Sequence, residues 1–181
     1  MKVIIHSPLR YLLQTVLDLI RSWRKPKKEE SDMQEILNEM LSNYGMQEVA
    51  GGESNPEILA MFDELGYDWV TDDSTTAWCS AALNYFCKKL GYERSGDLIA
   101  RSWLKLPVYV LKPTMGDIIV LWRESEESWK GHVGIFISED KERKRVYILG
   151  GNVNDMISIA SYSSERILGY RKLRKLTEIK E

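Results

Sequence analysis

The hydrophobic period of this chain changes once, and that change limits what the chain can fold into. Up to Leu90 the apolar residues recur at helical spacing. One stripe is Met33, Ile36, Leu37, Met40, Leu41 and Tyr44. A second is Ile58, Leu59, Phe62 and Leu65, and a third is Cys79, Ala82, Leu83, Phe86, Cys87 and Leu90. Gly45, Gly66 and Gly91 follow the three stripes as stops. Ser54 or Asn55 caps the second stripe, with Pro56 at its start. From Pro107 onward the period is two. Residues 107–111, 117–122, 132–138, 145–149, 156–160 and 167–171 read as strands, parted by turn residues at 113–116, 125–131, 139–144 and 150–155. Helices first and strands after specify an α+β domain with an antiparallel sheet.

The 181 residues suit one domain with a short appendage. The appendage is residues 1–32 and the domain residues 33–175. Within the appendage, Leu9, Leu12, Leu13, Val16, Leu17 and Ile20 form an amphipathic stripe, with Ser7 as cap and Pro8 at the first helical position. The charged run from Arg21 to Asp32, interrupted by Pro26, is a linker. The stripe is read as packing on the domain or docking a partner protein, in preference to lying on a membrane. Met1 to Ile5 is apolar, but His6, Pro8, Arg10, Gln14 and Asp18 break the run and no small-residue cleavage site follows. No signal peptide and no transmembrane segment is therefore expected, so the protein is made in the cytoplasm. A net charge of −2 gives no global basic field for nucleic acid. Two cysteines do not make a disulfide framework, and no CxxC or HxxxH spacing suggests zinc. No metal or cofactor is called for.

The chemistry rests on scarce residues. Cys79 falls in the first turn of the third helix, where unpaired N–H groups and the helix dipole favour a thiolate and could hold an oxyanion. His132 opens the strand 132–138, flanked by Gly131 and Gly134, which leave room for a ligand near the ring. Asn152, after the Gly150-Gly151 turn, is placed by a neighbouring antiparallel strand to orient the imidazole. The competing readings are structural. Cys79 continues a core stripe, as Cys87 does, and a strand histidine or a turn asparagine often serves only the fold. His6 is the alternative base, but it precedes the amphipathic stripe. Tyr85 and Tyr147 fit either core or groove.

Taken together, Trp78-Cys79-Ser80-Ala81, the segment Pro113 to Val120 with its Gly116-Asp117 turn, Gly131-His132-Val133-Gly134-Ile135-Phe136 and Gly150-Gly151-Asn152 resemble the NlpC-like and CHAP cysteine amidohydrolases and peptidases, in particular the branch common among phage lysins and cell-wall hydrolases. The resemblance covers residues 50–171. It implies a papain-like fold, with the cysteine-bearing helix packed on a sheet of five or six strands. It implies Cys79 as nucleophile, His132 as general base and Asn152 as the polar third residue, with Asp117 structural. Ser102-Trp103 resembles a family element between helix and sheet. Trp78, Ser80, Trp103, Trp122, Gly131 and Gly151 become candidates for a substrate groove. The implied reaction cleaves an amide bond of the peptidoglycan stem peptide or crossbridge through a thioester, as an endopeptidase or an N-acetylmuramoyl-L-alanine amidase. The wall would be reached after lysis, holin passage or specialised secretion. Two alternatives stay open. One is a toxin-like protease or deamidase acting on a protein, with the N-terminal helix docking a partner or an immunity protein. The other is a catalytically silent binding module.

Overall fold

The computed structural model describes residues 28–51 and 53–179. The chain divides into a unit Met1–Asp32 and a unit Met33–Glu181, and the second carries the sheet and both cysteines. The amphipathic stripe expected over residues 7–20 lies outside the described residues.

Helix α1 spans Lys28–Ser42 and buries Ile36, Leu37 and Met40. Helix α2, Pro56–Glu64, starts as its sequence dictates: the Asn55 side chain accepts a hydrogen bond from the Glu57 N–H at 2.8 Å, and Pro56 occupies the first turn. Its apolar side buries Ile58, Met61 and Phe62. Helix α3, Cys79–Leu90, ends on Gly91 at φ +72°, a left-handed conformation that glycine adopts without a Cβ clash. Its start differs in kind. The residue before Cys79 is Trp78, and among the described residues no side chain caps the first-turn N–H groups. A short 3-10 helix, Ala100–Lys105, follows.

Five strands complete the unit: β1 Ile118–Trp122, β2 Gly131–Asp140, β3 Arg145–Val153, β4 Met156–Ser163 and β5 Ile167–Arg171. Their order in the sheet is β4-β3-β2-β1-β5, and every pairing is antiparallel. Alternation sends side chains to two cores. Val120, Val133, Ile135, Leu149 and Ile157 join the residues of the three helices in the larger one. Ile119, Leu121, Phe136, Val146 and Ile148 form a smaller one on the other face, edged by Tyr162, Ile167 and Tyr170. Helix α3 lies against β2 and β3. This is the α+β arrangement expected from the change of period, with the cysteine-bearing helix laid on a five-stranded antiparallel sheet.

Three expectations need correction. Lys28 to Asp32, expected as the end of a charged linker, form the first turns of α1. Residues 107–111 are not a strand; Tyr109 makes a single isolated bridge to Arg171, and Leu111 is 92% exposed. Their extended backbone bonds only in passing, through Val110 N–H to Tyr170 O and Lys172 N–H to Val108 O. The turn expected over residues 150–155 is shorter than that. β3 continues through Gly150, Gly151 and Asn152 to Val153, which pairs with Met156. Only Asn154 and Asp155 form the loop, both at positive φ (51° and 60°), as a tight two-residue hairpin requires.

Candidate active site

Cys79 is the first residue of α3 and lines a cleft of about 550 Å³. The cleft walls include Thr75, Thr76, Ala77, Ile99, Trp129 and Gly131, with Arg123 and Lys130 as its cations. Burial pushes the thiol above its ordinary value. Against that, backbone hydrogen bonds from Val133, Ser80 and Cys79 itself, and the charge of Arg123, favour the thiolate. Two of these backbone groups, Ser80 and Cys79, belong to the uncapped start of α3, and the third, Val133, to β2.

His132 sits at the second position of β2, next to Val133, and is fully buried. By alternation it shares a face with Gly134 and Phe136. Its ring lies 5.4 Å from that of Tyr162, tilted by 33°. Tyr162 is held in turn by the Arg166 guanidinium, 5.4 Å above its ring. Arg123 Nη2 stands 3.4 Å from His132 Nδ1. A guanidinium only donates, so Nδ1 carries the lone pair and Nε2 the proton. Nε2 is buried, with no hydrogen-bond partner among the described residues. Burial, then the charges of Arg123 and Arg166, hold the imidazole neutral down to about pH 3. Cys79 and His132 therefore share Arg123 as a neighbour, and Tyr162 senses the charge of Cys79 as well as stacking on His132. Among the described residues no hydrogen bond joins the thiol to the imidazole.

The expected third residue goes elsewhere. Asn152 adopts φ +54° where the β3–β4 register shifts, and its Nδ2 donates to Glu48 Oε1 at 2.8 Å rather than serving His132. The same oxygen accepts from Trp78 Nε1 at 2.8 Å. Glu48 thereby ties the residue before Cys79 to the end of β3. Burial raises its carboxyl above the usual range, which the Trp78 bond opposes and the charges of Asp155 and Asp73 reinforce.

Of the six groove candidates, only Gly131 lines the cleft. Trp78, Ser80 and Trp103 are fully buried and face the core. Trp103 Nε1 donates to Ser80 Oγ at 2.9 Å, and Ser80 Oγ donates to Asp97 O at 2.6 Å, which locks α3 to the 3-10 helix. Gly151 is a contact of another kind: a Cβ there would come within 2.7 Å of Ala82 Cβ and 2.8 Å of the Trp78 ring. It lets α3 approach β3. Trp122 is half-buried, its Nε1 bonded to Glu165 O at 3.2 Å and its ring under Arg166. The Asp117 carboxylate closes the turn before β1 by accepting from the Thr114 N–H at 2.7 Å and Thr114 Oγ1 at 3.1 Å. Arg123, Tyr162, Glu48 and the cleft-lining Trp129 carry no local sequence signal. Each reaches the site through strand pairing or loop packing.

No family model matches the chain, and no curated protein does. Seven solved chains are similar to it in structure. One is a Staphylococcus aureus protein described as similar to a lipoprotein of the NLP/P60 family, 19% identical, with a TM-score of 0.48, covering 79% of this chain and 41% of that one. Another is the P60 domain of an antigen of M. avium subspecies paratuberculosis, 12% identical, with a TM-score of 0.48, covering 84% of this chain and all of that one. This chain thus spans less than half the length of the S. aureus protein. Among the described residues no helix is long and apolar enough to cross a membrane.

Proposed function

We propose that the chain is a cysteine hydrolase that cleaves an amide bond in the peptide part of peptidoglycan, with Cys79 as nucleophile and His132 as base. The observation that carries this reading is the position of Cys79: the first residue of a helix with no side-chain cap, on the wall of a cleft that Arg123 also lines. The peptidoglycan substrate is supported by the resemblance of the cysteine, histidine and glycine-rich segments to cell-wall hydrolases.

The resting pair is a neutral thiol and a neutral imidazole. As Sγ attacks the scissile carbonyl, its proton passes to His132 Nδ1, the nitrogen with the lone pair, once Arg123 turns from it. The carbonyl oxygen takes the negative charge and meets N–H groups at the start of α3. His132 returns the proton to the amine as the C–N bond breaks, leaving a thioester. Water then attacks the thioester, His132 accepts its proton, and the acid product leaves as the Cys79 thiol reforms. The Tyr162 ring, pinned by Arg166, holds the imidazole in place of the expected Asn152.

Digestion of purified sacculi followed by mass spectrometry of the soluble products tests the reading. New peptide termini or released stem peptides are expected from the native protein and none from Cys79→Ala. Products that persist in Cys79→Ala, or no products from the native protein, would overturn it.

A further inference from the structure

The cleft beside Cys79 contains a cation, Arg123, that no carboxylate among the described residues neutralises. Lys130 is already spoken for, since its Nζ meets Glu124 Oε1 at 2.5 Å. Arg123 lines the same wall and is half-buried, yet among the described residues no carboxylate pairs with it. Its one side-chain partner is His132 Nδ1 at 3.4 Å, which can take a single N–H of the five that a guanidinium offers. The rest of the fork is left to the cleft. A guanidinium withdrawn from bulk water with its donors unused favours an anionic ligand strongly, because a planar carboxylate can satisfy two N–H groups at once. The other walls are small, hydroxyl-bearing or apolar: Thr75, Thr76, Ala77, Ile99 and Trp129. Glu124 also lines the cleft, but its carboxylate is matched by Lys130, so the wall carries a net single positive charge at Arg123, which suits one negative charge and not a phosphate dianion.

We propose that Arg123 recognises a free carboxylate on the peptide that enters this cleft, so that the preferred substrates are acidic stem peptides whose carboxylates have not been amidated. This rests on the reading of Cys79 as a peptide hydrolase. It adds a coupling between recognition and chemistry. The guanidinium that binds the carboxylate is the one that faces Nδ1, so the substrate competes with the imidazole for it and leaves the Nδ1 lone pair free to accept the thiol proton.

The test uses two synthetic stem tetrapeptides with amidated C-termini, identical except that the glutamate α-carboxyl is free in one and a carboxamide in the other. Binding to the full chain carrying Cys79→Ala is measured by calorimetry, and hydrolysis by the native chain is followed by mass spectrometry. The acid peptide is expected to bind at least about tenfold more tightly than the amide. Adding Arg123→Gln should bring the two within about twofold, while Arg123→Lys, which keeps the charge but loses the fork, should keep part of the preference. Equal binding of the two peptides, no binding of either, or a preference that survives Arg123→Gln would overturn the proposal. The two readings fail separately. A carboxylate preference without Cys79-dependent hydrolysis sinks the enzyme and leaves the anion site, whereas Cys79-dependent hydrolysis with no preference sinks the anion site alone.

Discussion

Two thiols lie on one stripe of α3 and meet opposite surroundings. Cys87 sits mid-helix, fully buried, and burial drives its thiol far above the ordinary range, with only the distant charge of Arg94 opposing. Cys79, two turns earlier, is also largely covered, yet it borders the cleft, takes backbone hydrogen bonds and feels Arg123. Burial alone does not separate them. The end of the helix does, because the first residue meets free N–H groups and the middle residue meets only neighbours whose hydrogen bonds are spent. A stripe of core residues can therefore end in a thiol that borders a cleft at no cost to its periodicity.

The largest expected effect breaks the pair apart by function. Cys79→Ala should lower sacculus hydrolysis by at least about 10³-fold, and Cys87→Ala should leave it within about threefold. Comparable losses from both would show that the helix serves only the fold. The next effect bears on how the Cys79 end is seated. Gly151→Ala would push a methyl into Ala82 and the Trp78 ring, so it should cost about 1–3 kcal/mol in urea unfolding and reduce hydrolysis too, since Trp78 precedes the proposed nucleophile, Cys79. A fully stable, fully active Gly151→Ala would mean that α3 can shift without consequence.

An effect on stability alone concerns His132. The folded protein keeps it neutral down to about pH 3, while the unfolded chain protonates it near its ordinary value of 6.5. The unfolded state thus binds the extra proton between those values, and stability falls as pH drops from about 6.5 toward 3, by up to about 1.4 kcal/mol per pH unit from this residue. His132→Gln should flatten that part of the stability profile; an unchanged slope would place the imidazole in water. Smallest of all, Cys87→Ala should cost about 1–2 kcal/mol of stability, the loss of a buried sulfur, with unaltered pH dependence.

The fold was legible where local chemistry decides it. Asn55-Pro56 starts a helix, Gly91 ends one, and the alternation through β1 and β2 sorts side chains between two cores. It was less legible at residues 107–111, whose composition is that of a strand but whose backbone finds only one bridge. At the site, Cys79 and His132 stand out because such residues are rare and well framed. Their surroundings do not. Arg123 is one of many surface-type arginines until β1 pairs with β2, and Glu48 meets Asn152 across 104 residues of sequence. The tryptophans misled for a related reason: an aromatic beside a nucleophile fits a groove as well as a core, and only the packing against Glu48 and Ser80 decides that Trp78 and Trp103 belong to the core.

Cys79, on the cleft wall, is expected to be the thiol that reagents reach, and Cys87, mid-helix, the sealed one. Alkylation of the folded protein with iodoacetamide, mapped by peptide mass spectrometry while hydrolysis is assayed in parallel, tests it most directly. Label is expected on Cys79 alone until the protein is unfolded, with activity lost in proportion to that label. Equal labelling of both cysteines, or full activity after Cys79 is completely labelled, would contradict it.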